Sequence, residues 1–381
     1  MIPPAQPLPS LCSYSLLGRS GLRVAPLCLG TMTFGTEWGF GCGEAEAREL
    51  FLRYRAAGGN FVDTADLYTG GTSERLLGKF IKELGCRDEL VLATKFTLGG
   101  RAGDPNSAGN GRKSILRAVE ASLARLQTDY IDLYWMHSWD RLTPIEEVMD
   151  TLDSLVRAGK VRYLGLSNVP GWYLGRAQTL CELRGLQRLC GLQLEYSLVS
   201  REIEREFIPA AHALGLGLCS WSPLGCGILT GKYRRTAAGA EGDGRLQLMG
   251  GGSHPVFAKF TERNFRIAQT LIDVAAELGR SPAQVAISWI TRRPGVTSTI
   301  LGATTSGQLY DTLQALELTI PAELASRLEA VSRPAPCYPY VLFDEEQAGD
   351  VNAHTVVRAE PPWFRPGFDR SGAPIAETLR S

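Results

Sequence analysis

The sequence predicts a single (β/α)8 TIM barrel with an N-terminal β-hairpin, a long strap-like loop and an extended C-terminal tail, read as one domain over residues 1–381. Short apolar runs of strand length alternate with amphipathic stretches of helix length. There are eight such units, and their modest size suits one closed parallel barrel better than two open sheets.

The elements follow in order. The proline-rich start, to about Cys12, reads as loose chain, and Tyr14 to Val24 reads as a hairpin turning at Gly18-Arg-Ser-Gly21. The strand-length runs are 26–29, 60–63, 90–94, 130–136, 161–166, 191–194, 217–220 and 297–301. Helical spacing of apolar residues marks 44–57, 73–84, 112–126, 144–158, 171–183, 201–214, 281–292 and 308–318. Tyr233 to Pro255 is rich in glycine and alanine and reads as a long mobile loop. After Arg333 the tail carries six aromatics: Tyr338, Tyr340, Phe343, Trp363, Phe364 and Phe368. Long stretches of this kind are functional lids or disordered. The tail therefore reads either as a lid over a pocket or as chain packed on the barrel away from it.

Composition narrows the function class. Forty basic residues balance forty acidic ones, so no global field draws the chain to nucleic acid or to a membrane surface. Nine scattered cysteines without a CxxC pair point to free thiols in a reducing compartment. The start lacks the basic and apolar segments of a signal peptide, and no apolar run approaches a membrane span. The cytoplasm is the expected location. The charged run Arg201 to Glu206 reads as a solvated helix face.

In a (β/α)8 barrel the active site forms where the strands end. The residues at those ends are Thr31 and Met32, Asp63 with Tyr68, Lys95, His137, Ser167 and Asn168, Gln193, Trp221 and Ser222, and Gly302 with Thr304. Tyr68 could donate a proton to a developing alkoxide. A free tyrosine is a weak acid, and a nearby ammonium at Lys95 would lower its pKa. Asp63 would hold that lysine charged, and His137 could hydrogen-bond and orient a carbonyl. Taken singly, a histidine can be a core residue, a lysine can snorkel and an aspartate can cap a helix. Their joint placement on successive strands favours catalysis, with no metal.

On these residues the chain resembles the aldo-keto reductases, from Leu17 to about Arg333, in their aryl-alcohol dehydrogenase-like and potassium-channel β-subunit-like branch. Leu29-Gly-Thr-Met-Thr-Phe-Gly35 resembles the family's first-strand motif. The run from Asn60 to Tyr68, continuing to Ser73 and Glu74, resembles its aspartate-to-tyrosine signature. The resemblance implies a catalytic tetrad of Asp63, Tyr68, Lys95 and His137. It further implies that Ser167, Asn168 and Gln193 hold a nicotinamide carboxamide, with Trp221 stacked on the ring. Ser222, Pro223, Leu224, Cys226 and Lys232 would belong to the cofactor strap. Thr31, Met32, Arg245, Gly302, Thr304, Gln308, Asp311 and Thr312 complete the expected cofactor contacts. Phe34, Trp38 and Trp139 would wall the substrate pocket. The run from Gly302 to Thr312 lacks the basic residue that clamps a 2′-phosphate in many relatives, so Arg245 or Arg234 would take that part. NADP(H) is favoured, and NAD(H) stays open.

The implied function is reversible reduction of a small-molecule aldehyde or ketone. The alternative from another class is a cofactor-binding regulatory subunit, against which His137 speaks because those subunits carry asparagine there. A glycosidase-like barrel would need a second acid on an opposing strand, and none stands out. There is no GxGxxG for a Rossmann fold, and the histidines lack metal-ligand spacing. Oligomeric state is not legible.

Overall fold

The computed structural model describes residues 10–236, 239–248, 255–343 and 355. Eight parallel strands close into a barrel: β1 Leu27–Gly30, β2 Phe61–Asp63, β3 Val91–Phe96, β4 Ile131–Met136, β5 Val161–Ser167, β6 Leu189–Glu195, β7 Gly217–Trp221 and β8 Val296–Leu301. Each strand pairs with the next, and β8 pairs with both β7 and β1, so the sheet has no edge. Helices cover the strands outside, which buries both faces of the sheet. Every residue of β1 and of β3 is buried for that reason.

A hairpin of Ser15–Leu16 and Arg23–Val24 precedes the barrel. Leu17, Leu22 and Val24 pack with Trp135, Cys28, Cys190 and Cys219 in one buried cluster. The Trp135 indole needs glycine beside it, because a Cβ on Gly165 would collide with that ring. Leu17 needs the same of Gly217. The barrel is thus filled from its N-terminal end, and none of the nine cysteines is in a disulfide.

The helices are α1 Glu44–Ala56, α2 Thr72–Leu84, α3 Arg112–Leu126, α4 Ile145–Arg157, α5 Gly171–Arg184, α6 Phe207–Leu214, α7 Glu262–Glu277, α8 Pro282–Thr291, α9 Ser306–Leu313 and α10 Ala322–Ser332. Side-chain caps set three of the starts. Thr261, Ser281 and Thr305 accept from the backbone N–H of Asn264, Gln284 and Gln308.

The structure departs from the sequence reading in four places. The helix expected over 201–214 begins only at Phe207, after a 3₁₀ turn at Glu202–Glu204. That start keeps Pro209 in the first turn, where its missing N–H leaves no gap in the helix. The helix expected over 308–318 is α9 followed by a 3₁₀ turn at Gln314–Glu317. The loop from Tyr233 carries a small hairpin, Arg234–Thr236 with Gly239–Glu241, and a helical turn at Arg245–Leu248. Helices α7 and α10 were not anticipated. The buried spacing of Ile267, Ala268, Leu271 and Val274 is helical, but one helix per strand leaves no slot for α7.

The run 201–206 is not a helix with a solvated face: Glu202 and Glu206 are exposed, but Arg201 and Ile203 are buried. Arg201 is 1% exposed and its guanidinium is shared between Glu204 and Glu329. Arg293 binds the same two carboxylates, and Arg201 also donates to Ser332. This network, which Arg333 also joins through Glu329, ties α10 to the turn after β6 and to the end of α8. The expected loose start lies outside the described residues up to residue 9, whereas Leu11 is buried against Ala25 and Leu27. Among the described residues, no helix is long and apolar enough to cross a membrane.

Candidate active site

Strand register assembles the site. Asp63, the last residue of β2, pairs with Ala93, and Lys95 near the end of β3 pairs with Trp135. The side chains of Asp63 and Lys95 therefore reach the same C-terminal end of the barrel. His137 follows β4 directly and donates its backbone N–H to Phe96 O at 3.1 Å. Tyr68 sits in the turn between β2 and α2. Thr69 at φ 48°, Gly70 and Gly71 run through left-handed backbone so that α2 can start at Thr72. The Thr69 hydroxyl, donating to Phe34 O at 2.7 Å, fastens that turn.

The four side chains form one connected group. The Lys95 ammonium pairs with Asp63, donates to Thr64 O at 2.7 Å and to the Tyr68 hydroxyl at 3.2 Å. The Tyr68 and His137 rings meet edge to face at 6.0 Å between centroids. Asp63 and Lys95 are buried, and Tyr68 and His137 are half-buried.

Electrostatics assign protonation states. Burial works against the Lys95 charge, but Asp63 and Tyr68 outweigh it and hold the ammonium protonated above the ordinary lysine value. Burial pushes Asp63 up, and Lys95 and Gln193 pull it back. Burial also raises the Tyr68 phenol, although Lys95 lowers it. The expectation that Lys95 brings Tyr68 below its usual value is corrected on this point. Asp63 offsets much of the ammonium charge, so desolvation prevails and the phenol stays protonated. Burial, then the Lys95 charge, brings His137 down to about 3, so its imidazole is neutral, and its buried Nδ1 has no hydrogen-bond partner among the described residues.

A second layer supports the first. The Ser73 hydroxyl lies 2.9 Å from that of Thr64 and 2.8 Å from that of Thr31. Glu74, fully buried, accepts from Thr94 at 2.6 Å and from Arg125 at 2.6 Å. Sequence reading named Ser73, Glu74 and Thr31 but not the Thr64 carbonyl, Thr94 or Arg125, because their part depends on partners from other strands and helices.

The remaining expected contacts divide into two sets. Asn168, at φ 49°, donates to His137 O and Ser167 Oγ, both at 2.8 Å, and accepts from Trp221 Nε1 at 3.3 Å. Trp221 is half-buried beside it. Ser222 opens a strap in which its hydroxyl accepts from Cys226 N at 2.9 Å, with Pro223 buried and Leu224 half-buried. Cys226 and Gly227 are left-handed, which turns the strap toward Lys232. Partial burial and the Arg245 charge hold the Lys232 ammonium below its ordinary value. Arg245 lies 3.7 Å from Met32 Sδ and 5.9 Å from the Phe40 ring centre. Beyond exposed Gly302, the Gln308 side chain accepts from Thr304 N at 2.9 Å at the head of α9.

Other residues are tied to the scaffold instead. Asp311 accepts from Ser281 and Gln284, both at 2.8 Å, and Thr312 donates back into its own helix. Thr31 is fully buried, its hydroxyl 3.1 Å from Asp63 O. Gln193 Nε2 donates to Asp63 Oδ2 at 2.8 Å. Phe34 is corrected from pocket wall to core, fully buried and packed edge to face on Phe80. Trp38 is half-buried, with its ring 6.2 Å from that of Tyr68. Trp139, also half-buried, packs on Trp172 at 5.4 Å. In the tail, Tyr338 is 81% exposed. Of the six aromatics in the lid reading, Trp363, Phe364 and Phe368 lie outside the described residues.

Comparison with known proteins identifies the family. The model of the aldo/keto reductase family matches residues 26–333. The chain is 38% identical to an uncharacterized oxidoreductase, YrpG, of Bacillus subtilis (strain 168), over 84% of this chain and 95% of that protein. It is 35% identical to norsolorinic acid reductase stcV of Emericella nidulans, covering 86% of this chain and 84% of the relative. A probable voltage-gated potassium channel subunit beta of Oryza sativa subsp. japonica is also 35% identical, over 85% and 97%.

Proposed function

The chain belongs to the aldo/keto reductase family, a family of oxidoreductases, and from that premise we propose that it reduces an aldehyde or ketone, reversibly, with NADP(H). The observation that carries this reading is the run of contacts from Asp63 through Lys95 to Tyr68, with neutral His137 against the tyrosine ring. A binding module has no evident use for a buried ion pair aimed at a phenol.

The residues present fit a nicotinamide cofactor. The strap from Ser222 to Lys232, turned by left-handed Cys226 and Gly227, ends on an ammonium that would face a pyrophosphate. Half-buried Trp221, held by Asn168, offers a ring face. When bound, the reduced cofactor would supply hydride to the carbonyl carbon. Tyr68 is the general acid that gives its hydroxyl proton to the carbonyl oxygen as charge develops there. The Lys95 ammonium, donating to that hydroxyl, stabilises the phenolate left behind. Asp63 keeps Lys95 charged and immobile. His137, neutral, orients the carbonyl by hydrogen bonding. In the reverse direction Tyr68 accepts the proton of the alcohol. Preference for NADPH rests on Arg245 or Arg234 for the 2′-phosphate, with Thr304 and Gln308 at the head of α9 supplying hydroxyl and amide contacts.

The test is NADPH oxidation followed by absorbance across aldehydes, ketones and keto sugars, beside Tyr68→Phe. A fall of about a hundredfold or more in the variant is expected. Equal turnover with NADH at matched concentration rejects the cofactor preference. Tight NADPH binding with no turnover would move the protein to the regulatory reading that the rice relative represents.

A further inference from the structure

We propose that buried Asn110 is a positioning residue for the reaction: together with Thr97 it locks the segment that follows β4 and so aims the His137 imidazole. Its effect on turnover rests on the carbonyl-reductase reading, whereas the lock itself does not.

A histidine at a reacting centre is commonly held in one orientation by a hydrogen bond at its second ring nitrogen. The buried Nδ1 of His137 makes none among the described residues, and the ring meets Tyr68 only edge to face. The direction of the imidazole is therefore set by the backbone that carries it. That backbone is pinned from the barrel side first. The His137 N–H donates to Phe96 O at 3.1 Å, and the Asn168 side chain donates to His137 O at 2.8 Å.

From the other side comes Asn110, 1% exposed, in the residues just ahead of α3. Its Nδ2 donates to Ser138 O at 2.9 Å, and its backbone N–H donates to Asp140 Oδ2 at 2.7 Å. Asp140 in turn folds the next turn, its Oδ1 accepting from Leu142 N and Thr143 N at 3.0 Å. The other end of the Asn110 amide reaches back to β3. Its Oδ1 accepts from the Thr97 hydroxyl at 2.6 Å, and Gly109 N donates to Thr97 O at 2.8 Å. Thr97, two residues after Lys95, has φ 109°, a costly conformation for a β-branched residue. Such backbone persists only where its surroundings over-determine it, and it clusters at working sites. One buried amide thus couples the strand that bears Lys95 to the strand end that bears His137. Asn110 acts through His137 rather than on the substrate.

The experiment compares the wild type with Asn110→Ala, Thr97→Gly and Thr97→Ser, each also combined with His137→Gln. Should Asn110→Ala fold poorly, Thr97→Gly carries the test, since glycine takes φ 109° without strain and loses only the side chain. Two readouts are taken. The chain has four histidines, so labelling histidine alone for NMR gives few imidazole signals; His137→Gln assigns that of His137, and His212 in α6 is the control. Asn110→Ala and Thr97→Gly should move or broaden the His137 signal and leave that of His212 in place, and Thr97→Ser should restore it. Across the carbonyl panel the same two variants should lower kcat about tenfold with NADPH affinity unchanged. In the His137→Gln background they should cost less than about twofold, because the group they aim is gone. Where that background is too slow to assay, the NMR signal alone decides. An unmoved His137 signal, or an equal cost in both backgrounds, overturns the lock and leaves the reductase reading intact. A His137 signal that moves in a protein that turns over no carbonyl keeps the lock and removes the reductase reading. Neither movement nor turnover would overturn both.

Discussion

Two regions of this protein bury opposite charges, and they differ in what those charges have left to do. Beside the barrel, Arg201 and Arg293 share Glu204 and Glu329, and Tyr196, Ser332 and Arg333 join the network. At the barrel's mouth, Lys95 and Asp63 make the same kind of pair, but the ammonium also reaches the Tyr68 hydroxyl, whose oxygen stays available at a half-buried surface. A closed network fixes geometry. A pair that ends on a titratable phenol can serve chemistry.

The sharpest test exchanges one member of each. Lys95→Met should lower turnover by at least a hundredfold, because the phenolate formed in reduction loses its counter-charge. Glu329→Ala should leave the catalytic groups in place but destabilise the fold by about 3–5 kcal/mol, since two buried guanidinium groups lose a shared partner. Denaturant melts beside kcat for both variants would show the split. Loss of activity without loss of stability in Glu329→Ala would break the contrast.

The pH profile sharpens it further. Tyr68 titrates above its ordinary value, so the acid form needed for reduction is complete across neutral pH. Reduction should be flat between about pH 6 and 9. Oxidation needs the phenolate, whose fraction grows about tenfold per pH unit in that range, and so should rise with pH. A reduction rate that falls through neutrality would place the working proton on another group.

The smallest effect concerns Asp66, two residues before Tyr68. Burial, then the charge of Glu74, pushes its carboxyl up to about 7, and its buried Oδ1 has no hydrogen-bond partner among the described residues. A carboxyl whose pKa is higher folded than unfolded binds more protons in the native state. Stability should therefore fall as pH rises from about 4 to about 7. Asp66→Asn should raise the melting midpoint by a few degrees at pH 8 and little at pH 4. An equal shift at both values would exclude titration as the cause.

Much of the barrel was legible because parallel strands covered on both faces appear as uninterrupted apolar runs, as in Val91–Phe96. Asp63 and Tyr68 were legible as a local spacing on one strand end. Lys95 and His137 were legible because strand ends face one side. What hid was decided by partners distant in sequence. Phe34 and Trp38 look alike as aromatics near one loop, and only packing on Phe80 sends the first into the core. Asp311 looks free until Ser281 and Gln284 take its oxygens. The Arg201 run looked solvated because Arg293 and Glu329 lie about a hundred residues away or more.

The plugged floor of the barrel gives the molecule a built-in reporter of its own breathing. Cys28, Cys190 and Cys219 lie against Trp135 and Leu17, where burial pushes the Cys190 thiol up to about 12 and the other two well above the ordinary value. Such thiols are neutral and shielded, so an alkylating reagent reaches them only when the floor opens. Exposed Cys12 should react at once. The lag between labelling of Cys12 and labelling of these three, followed peptide by peptide by mass, is then a direct clock for opening of the barrel floor, without any engineered probe.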